Sequence, residues 1–285
     1  MSVATVGGGG RARGVVRLAV LVVMLAVVLY PLVWMLGTSL KSPSEIASNL
    51  AVWPRHVTWS NFPDGWSGMP DVTFGRFFLN STLLALAVVQ ANMASCLVSA
   101  YAFARLRFPG RRIWFAVMIG TLLLPQHVLI VPQYILFRYF GWINTLAPLV
   151  VPKALATEAF FVFLMVQFIR GIPRELDEAA TIDGCGPFGV FRHIILPLSR
   201  PALVTTAIFS FIWTWNDFFT QLIYLTDVSK YTVPIGLRTF LDSSGQSELG
   251  PMFAMSVLSL LPVFLFFLAF QRLLVEGINT AGLKG

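Results

Sequence analysis

The chain has 285 residues, of which 56% are hydrophobic and only 12% are charged, whereas a soluble domain carries about 25% charged residues. This composition excludes an ordinary soluble protein, because too few polar residues remain to cover its surface. The net charge of +7 does not indicate nucleic-acid binding either, since no soluble domain carries a basic face interleaved with aromatic residues. Composition therefore predicts an integral membrane protein with no nucleic-acid partner.

Six hydrophobic stretches are long enough to cross a bilayer, which needs about 20 mostly apolar residues. They lie at residues 15–36, 78–102, 113–136, 147–169, 202–226 and 251–271. The first stretch is longer than a signal-peptide core and lacks a small-x-small cleavage site, so we interpret it as a retained span. Residues 1–14 are predicted to be a flexible polar lead. The predicted fold is therefore all-α, with six transmembrane helices.

The distribution of basic residues predicts the orientation of these spans. Thirteen of the 20 lysines and arginines fall on the side that holds both termini, and seven fall on the other side. The stretch ARLRFPGRR alone carries four arginines within eight residues. We therefore expect both termini in the cytoplasm, with the excess positive charge facing anionic lipid.

The sequence carries no recognisable catalytic constellation. It lacks GxxxxGK[ST], so the chain cannot by itself cradle a nucleotide phosphate, and it lacks HExxH and GxSxG. Its three histidines fall in an outer loop, a span and an inner loop, which predicts no metal site. Cys96 lies in a span and Cys185 in a cytoplasmic loop, so no disulfide is expected. We therefore expect neither enzymatic activity nor a cofactor in this chain.

Polar and helix-breaking residues inside the spans indicate a solute path. Pro125 and Pro132 lie two turns apart in the third span, and a broken span is tolerated where its freed carbonyls face protein or a water-filled cavity. Ionisable residues near span centres, here Glu158 and Asp217, usually mark a site or a buried partner. Aromatic and hydrogen-bonding side chains in FIWTWNDFFTQL suit a sugar. The residues concerned are Glu158 in the fourth span and Asp217 in the fifth, with Trp213, Trp215, Asn216 and Phe218 around Asp217. Hydrogen bonding between packed helices is the alternative, and it stays open.

The most polar stretch, RELDEAATIDGCGPFGVFRHIILPLSRP, lies between the fourth and fifth spans. Pro173 is predicted to begin a helix whose first turns carry acids, as the helix dipole favours. Gly184 is predicted to end that helix as a left-handed cap, and a second helix is predicted to stop at Pro197. A helix that lies on lipid headgroups is rich in lysine and arginine, unlike this one. We therefore predict a cytoplasmic helix–turn–helix that docks to another protein through the patch Ala179–Ala180–Gly184.

The stretch EAATIDGCGPFGVFRHIILPLSRPAL resembles the EAA loop of permease subunits of bacterial ABC importers. That pattern runs Glu-Ala-Ala, three residues, Gly, nine residues, a hydrophobic residue, one residue and Leu-Pro, and the spacing here matches it without gaps. The stretches LLPQHVLIVPQYILFRYFGWINTLAPLVVP, IWTWNDFFTQLIYL and YTVPIGL resemble the carbohydrate-uptake branch of that family. The tail EGINTAGLKG is similar to the end of the smaller permease of maltose importers. The resemblance covers roughly residues 15–285.

The resemblance implies a coupling role for the loop at about 170–201, which we name the coupling loop. The residues to which it assigns coupling are Glu178, Ala179, Ala180, Asp183, Gly184, Ile194, Leu196 and Pro197. Arg192 and His193 would support the second helix, and the terminal NTAGLKG would lie near the ATPase. On the same mapping, the candidate residues of the solute path are Gln133, Glu158, Trp215, Asn216 and Asp217. The implied partners are a sister permease, two copies of a cytoplasmic ABC ATPase that binds ATP and Mg, an extracytoplasmic sugar-binding (lipo)protein and membrane lipid.

The resemblance further implies a multi-pass protein of the bacterial cytoplasmic membrane that forms half of a path for a di- or oligosaccharide. Glycerol phosphate, a polyol or an amino sugar as the solute of a protein with the same architecture stays open as an alternative. A phosphate substrate favours arginine or lysine in the cavity, and only Lys153 lies near a span interior, which favours a neutral sugar. A secondary transporter would show inverted repeats, and none is clear. A membrane enzyme would need catalytic residues clustered at one depth of the membrane, and the sequence shows no such cluster.

Overall fold

A computed structural model describes residues 9–67, 72–241 and 248–282, and the side chains of 14–67, 72–125, 127–241 and 248–273. Every regular element in these ranges is a helix, which confirms the all-α class. The α-helices are α1 Gly9–Ser39, α2 Pro43–Ser48, α3 Asn61–Ser67, α4 Phe74–Arg105, α5 Arg111–Thr121, α6 Gln126–Tyr139, α7 Ala147–Ala154, α8 Ala159–Gly171, α9 Glu175–Ile182, α10 Pro187–Val190, α11 Leu196–Leu198, α12 Arg200–Asn216, α13 Phe219–Tyr224, α14 Val233–Arg238 and α15 Leu249–Gly282. A π-helical segment, Phe191–Ile195, joins α10 to α11, and Val228–Lys230 forms a 3-10 turn.

Four stretches of the described chain are long and apolar enough to cross a membrane. They are Gly14–Ser39, Phe74–Arg105, Ala147–Gly171 and Leu249–Leu273. A fifth results if Pro187–Leu198 and Arg200–Asn216, which meet at 69°, are counted as one broken span. The predicted third span consists of two helices of 11 and 14 residues, each too short to cross alone. The count of six spans therefore stays a prediction.

Three of the predicted spans are interrupted. The predicted break in the third span is confirmed: residues 122–125 separate α5 from α6, and Pro125, which lacks an N–H, precedes the new helix. Pro132, in contrast, lies within α6. The fourth span is broken at residues 155–158 and the fifth at Asp217–Phe218, and neither of these breaks was predicted. Ala156 in the first of them adopts a left-handed φ of +55°, which is uncommon for a residue other than glycine.

The first helix begins earlier than predicted. α1 starts at Gly9, inside the segment 1–14 that was expected to be a flexible lead, and residues 1–8 lie outside the described range. None of the residues in its most apolar window is buried within the chain, as expected for a helix that is surrounded by lipid or a partner. The predicted role of NTAGLKG falls on residues whose side chains lie outside the described set.

The chain divides into two compact units, Met1–Gly68 with Phe240–Leu258, and Met69–Thr239 with Ser259–Gly285. In the first unit, the loop after α1 is held by a buried lysine. The Nζ of Lys41 donates to the carbonyls of Asn49 at 3.0 Å and Ala51 at 2.5 Å. The amide of Asn61 donates to the carbonyls of Ser39 and Lys41, both at 2.8 Å.

The second unit is built around α4, which packs against α7, α8 and α12. A buried core joins these helices to the coupling loop. Its residues are Cys96, Leu97, Ala100, Tyr101, Ala104, Phe161, Val162, Met165, Val166, Ile169, Ile172, Ala180, Val190, Ile195, Ala202 and Leu203. Asn92 of α4 donates to the hydroxyl of Ser210 in α12 at 2.9 Å, a buried hydrogen bond that fixes the register of the two helices.

Candidate functional site

A cavity of about 700 Å³ lies in the second unit, where the three interrupted spans have their breaks. Residues from each break line it, including Leu124, Thr157 and Asp217. Non-helical backbone at membrane depth is tolerated where it lines a cavity, because water or a ligand can then satisfy its polar groups. The volume lies in the range of about 300–1,000 Å³ that is usual for ligand pockets.

Four of the five predicted path residues line this cavity: Gln133, Glu158, Asn216 and Asp217. Trp215, the fifth, does not. It is only 2% exposed, its ring stacks on Phe211 with centroids 5.6 Å apart, and its Nε1 donates to the carbonyl of Ser259 at 3.1 Å. Trp213 lines the cavity instead and is 46% exposed. Two positions along a helix turn a side chain by about 200°, so the two rings face opposite sides.

The charged groups of the cavity are held in defined places. Lys153, at the end of α7, donates from Nζ to Oε1 of Glu158 and forms an ion pair with it. The carbonyl of Lys153 accepts a hydrogen bond of 2.7 Å from the hydroxyl of Ser95 in α4. Asp217 Oδ1 accepts from the backbone N–H of Thr220, in the first turn of α13, at 3.1 Å. The ion pair neutralises Lys153, the only cation that sequence analysis placed near a span interior.

Aromatic and amide groups complete the lining. The ring of Trp213 contacts that of Phe160, with centroids 5.4 Å apart, and His127 contacts Phe219 at 5.3 Å. Gln133 accepts from the hydroxyl of Tyr224 at 3.5 Å. Aromatic faces beside amides and carboxylates provide stacking surfaces for C–H groups and partners for hydroxyls, which are the two features of a sugar.

The first helix of the coupling loop, α9, begins one residue after Arg174. The carbonyl of Arg174 accepts from the N–H groups of Asp177 at 2.9 Å and Glu178 at 3.0 Å. The sequence predicted that Pro173 begins this helix. That prediction is wrong, because Pro173 precedes the helix by two residues. Gly184 follows the helix with a φ of +85°, which confirms the predicted left-handed cap.

The second helix of the coupling loop does not stop at Pro197. It runs from Pro187 through the π-helical segment to Leu198, and the chain bends by 69° before Arg200. In the π-helical turn, the N–H of Leu196 reaches back to the carbonyl of Phe191. This wider turn changes the pairing ahead of Pro197, whose missing N–H would leave an ordinary α-helical bond unmade.

Burial divides the predicted coupling residues into two groups. Ala180 is only 8% exposed and belongs to the core below the loop, so it does not take part in the outer patch that the sequence predicted. Ile194 is half-buried, and its neighbour Ile195, which was not among the predicted residues, is buried. The outward-facing predicted residues are Glu178, Ala179, Asp183, Gly184, Leu196 and Pro197. Ile182, which sequence analysis did not select, is 86% exposed.

Sequence analysis also missed the residues that attach the coupling loop to α4. The Nε of Arg105 lies 2.9 Å from Oδ2 of Asp177, and its Nη2 donates to the carbonyl of Ile172 at 2.7 Å. The hydroxyl of Tyr101 donates to the carbonyl of Pro187 at 2.8 Å. Arg105 had been counted only as one of the four arginines near a span end, since no sequence signal links it to residues about 70 positions away.

Comparison with known proteins identifies the class. Residues 95–280 match the family described as binding-protein-dependent transport system inner membrane component. The chain is 32% identical to the diacetylchitobiose uptake system permease protein NgcG of Streptomyces coelicolor, over 92% of this chain and 86% of that protein. It is 31% identical to the trehalose/maltose transport system permease protein MalG of Thermococcus litoralis, over 93% and 94%. It is also 31% identical to the trehalose transport system permease protein SugB of Mycobacterium tuberculosis, over 90% and 93%.

Solved structures share the fold. A chain from the crystal structure of a bacterial ABC transporter involved in the import of the acidic polysaccharide alginate matches with a TM-score of 0.81 at 20% identity, over 95% of this chain and 99% of that chain. A chain from the alginate transporter in complex with an alginate pentasaccharide-bound periplasmic protein matches with a TM-score of 0.66 at 11% identity, over 92% and 94%. The fold and the site thus define a membrane-embedded transport permease. The chain belongs to the binding-protein-dependent transport system inner membrane component family.

Proposed function

We propose that this chain forms one half of the translocation path of an ATP-driven ABC importer and that its solute is a di- or oligosaccharide. The observation that carries the proposal is the cavity, in which Trp213, Asn216 and the ion pair of Lys153 with Glu158 surround a space of about 700 Å³. Relatives named for diacetylchitobiose, trehalose and maltose support the substrate class.

The proposed partners follow from the family. A sister permease supplies the other half of the path, an extracytoplasmic binding protein delivers the sugar, and two copies of a cytoplasmic ATPase bind ATP and Mg. We place the coupling loop and both termini on the cytoplasmic side, in agreement with the excess of basic residues there. The exposed surface of Ile182, Ala179 and Glu178 is the proposed contact with the ATPase.

The proposed mechanism is alternating access. Closure of the ATPase pair moves the coupling loop, and the cavity changes from facing inward to facing outward. A shift of a two-state equilibrium from 1:99 to 99:1 requires about 5.5 kcal/mol of differential binding, which ATP can supply. The three helix breaks around the cavity are the proposed places where the spans bend.

A substrate screen tests the proposed solute. The complex is reconstituted with its binding protein, and ATP turnover is measured with neutral disaccharides and oligosaccharides, amino sugars, polyols, glycerol phosphate and acidic oligosaccharides. We expect neutral di- or oligosaccharides to give the largest stimulation. Stimulation by glycerol phosphate or a polyol alone would contradict the sugar assignment while leaving the importer intact.

A substitution at Ile182 tests the proposed ATPase contact. Ile182→Asp replaces the exposed apolar side chain of this surface with a charge and should release the ATPase from the purified complex. Ile182→Leu is the matched control, because it keeps an apolar side chain of the same size. Retention of the ATPase by both variants at wild-type yield would contradict the contact.

A further inference from the structure

Helix α4 reaches both sites of the second unit. Leu84 and Val88, near the middle of the helix, line the cavity, and Tyr101 and Arg105, at its C-terminal end, hold the coupling loop. The helix runs from Phe74 to Arg105 without a break, in contrast to the three interrupted spans. An unbroken helix of 32 residues transmits a displacement along its axis better than a span whose hydrogen-bond ladder is interrupted.

We infer that the ion pair between Arg105 and Asp177 is the link through which movement of the coupling loop reaches α4 and, through α4, the cavity. The inference rests on the proposed function. Arg105 is therefore a positioning residue: it touches neither solute nor nucleotide, and it acts through α9 on one side and through Ser95 and Lys153 on the other.

The first argument is the geometry at the cytoplasmic end. The guanidinium of Arg105 contacts two parts of the coupling loop at once, the carboxylate of Asp177 at 2.9 Å and the carbonyl of Ile172 at 2.7 Å. Ile172 precedes α9 and Asp177 lies in its first turns, so α9 cannot rotate or shift without moving the arginine. The contact with Ile172 is a hydrogen bond, whereas the contact with Asp177 is an ion pair in which Nε makes no hydrogen bond.

The second argument is burial. The side chain of Arg105 is 5% exposed and that of Asp177 is 19% exposed, whereas pairs on an open surface contribute little because water screens them. Removing one partner of a buried pair leaves an uncompensated charge, which is strongly unfavourable. A buried pair is therefore less readily separated than an exposed pair when the coupling loop moves. Each charge also suits its own helix end, with the cation at the end of α4 and the anion at the start of α9.

The third argument is the contact between α4 and the charged part of the cavity. The hydroxyl of Ser95 donates a hydrogen bond of 2.7 Å to the carbonyl of Lys153. The side chain of Lys153 pairs with Glu158 at the break between α7 and α8. Ser95 and Arg105 are ten positions apart, a distance of about 15 Å along a helix. A displacement of α4 at Arg105 therefore reaches the charged part of the cavity through one rigid segment and one hydrogen bond.

The test measures the amount of sugar transported per ATP hydrolysed by the purified, reconstituted complex. We expect Arg105→Gln and Asp177→Asn each to lower this ratio by about fivefold or more, the lower end of usual coupling between sites. The charge-swapped pair Arg105→Asp with Asp177→Arg should recover part of the ratio, and only part, because both charges then oppose the helix dipoles. Arg107→Gln is the matched control, since Arg107 is exposed two residues after the end of α4 and should leave the ratio unchanged.

The ratio of sugar transported to ATP hydrolysed distinguishes a role in transmitting movement from a role in stabilising the subunit. If the pair only stabilised the subunit, the variants would yield less complex, and the complex that did form would transport at the wild-type ratio. That result would overturn the inference, as would failure of the charge-swapped pair to assemble or to recover any of the ratio. If the wild-type complex with its binding protein transported none of the solutes tested, the proposed function would fail instead.

Discussion

At the scale of single residues, two tryptophans of α12 differ in their surroundings. Trp213 faces the cavity, while Trp215 stacks on Phe211 and donates to the carbonyl of Ser259. The sequence motif around Asn216 and Asp217 contains both rings, and resemblance alone favoured Trp215. Their surroundings predict different consequences when either ring is removed.

Trp213→Ala should raise the sugar concentration that half-maximally stimulates ATP turnover by about tenfold, equivalent to 1.4 kcal/mol, and it should change thermal stability less. Trp215→Ala should do the reverse, because removing a buried aromatic side chain destabilises by about 3–5 kcal/mol. Sugar titration and thermal unfolding of both variants check this. A loss of sugar response in Trp215→Ala with unchanged stability would contradict the assignment.

At the scale of secondary-structure elements, the end of α9 depends on the backbone of Gly184. Its φ of +85° lies in the left-handed region, which is disfavoured for any residue with a Cβ. Gly186, two positions later, has an ordinary φ of −74°. A Cβ at either position would meet no other atom within 4 Å. The two glycines thus differ in backbone conformation and not in available space.

Gly184→Ala should therefore disturb the coupling loop, and Gly186→Ala should not. The left-handed conformation costs about 1–2 kcal/mol for a residue with a Cβ, so retention of the ATPase should fall by up to about 5- to 30-fold if all of the strain opposes docking. Co-purification of the ATPase with each variant measures the effect. Equal retention by both variants would show that the cap does not shape the docking surface.

The loop after α1 is predicted to respond to acid through Glu45. Its Oε1 accepts from the backbone N–H of Arg55 at 2.7 Å and from the amide of Asn49 at 3.0 Å. The Arg55 N–H contributes most to holding the pKa of the Glu45 carboxyl below its ordinary value. The folded loop therefore favours the charged form. Its stabilisation is complete above the ordinary pKa and is lost as the pH falls through the lowered pKa.

Hydrogen exchange checks this response. After correction for the intrinsic exchange rate, the backbone amides of residues 42–56 should be less protected at acid pH, below the lowered pKa of Glu45, than at neutral pH. Glu45→Gln keeps an acceptor for the Arg55 N–H and should remove the pH dependence. Persistence of the same dependence in that variant would assign the effect to another group.

At the scale of the whole molecule, the predicted orientation rests on the excess of basic residues on one side. Single cysteines at Arg55 and at Arg192, in a chain with Cys96→Ala and Cys185→Ser, test it with a membrane-impermeant thiol reagent. In intact cells the cysteine at position 55 should be labelled and that at position 192 should not. Permeabilised cells provide the control, since both positions should then react. The reverse pattern would invert the topology.

Much of this protein could be predicted from local sequence. The hydrophobic runs specified an all-α membrane protein because a helix must satisfy its backbone hydrogen bonds within the bilayer. The EAA spacing identified the coupling loop and the family, and Gly184 marked the end of α9, because a left-handed cap depends only on the residue and its neighbours. Pro125 marked the break in the third span for the same reason, since the missing N–H is a property of proline itself.

Only the tertiary structure decided which side of each helix faces the cavity, the core or the surface. Ala180 is buried and Ile182 is exposed because α9 packs against α10 and the π-helical segment, with Ala180 in the core that α4 and α8 share. No property of either residue specifies that packing. The breaks in the fourth and fifth spans carry no strong local signal, and packing around the cavity determines them. The pair of Arg105 with Asp177 joins residues 72 positions apart. Such contacts arise when distant helices pack together, so a sequence pattern confined to one helix cannot predict them.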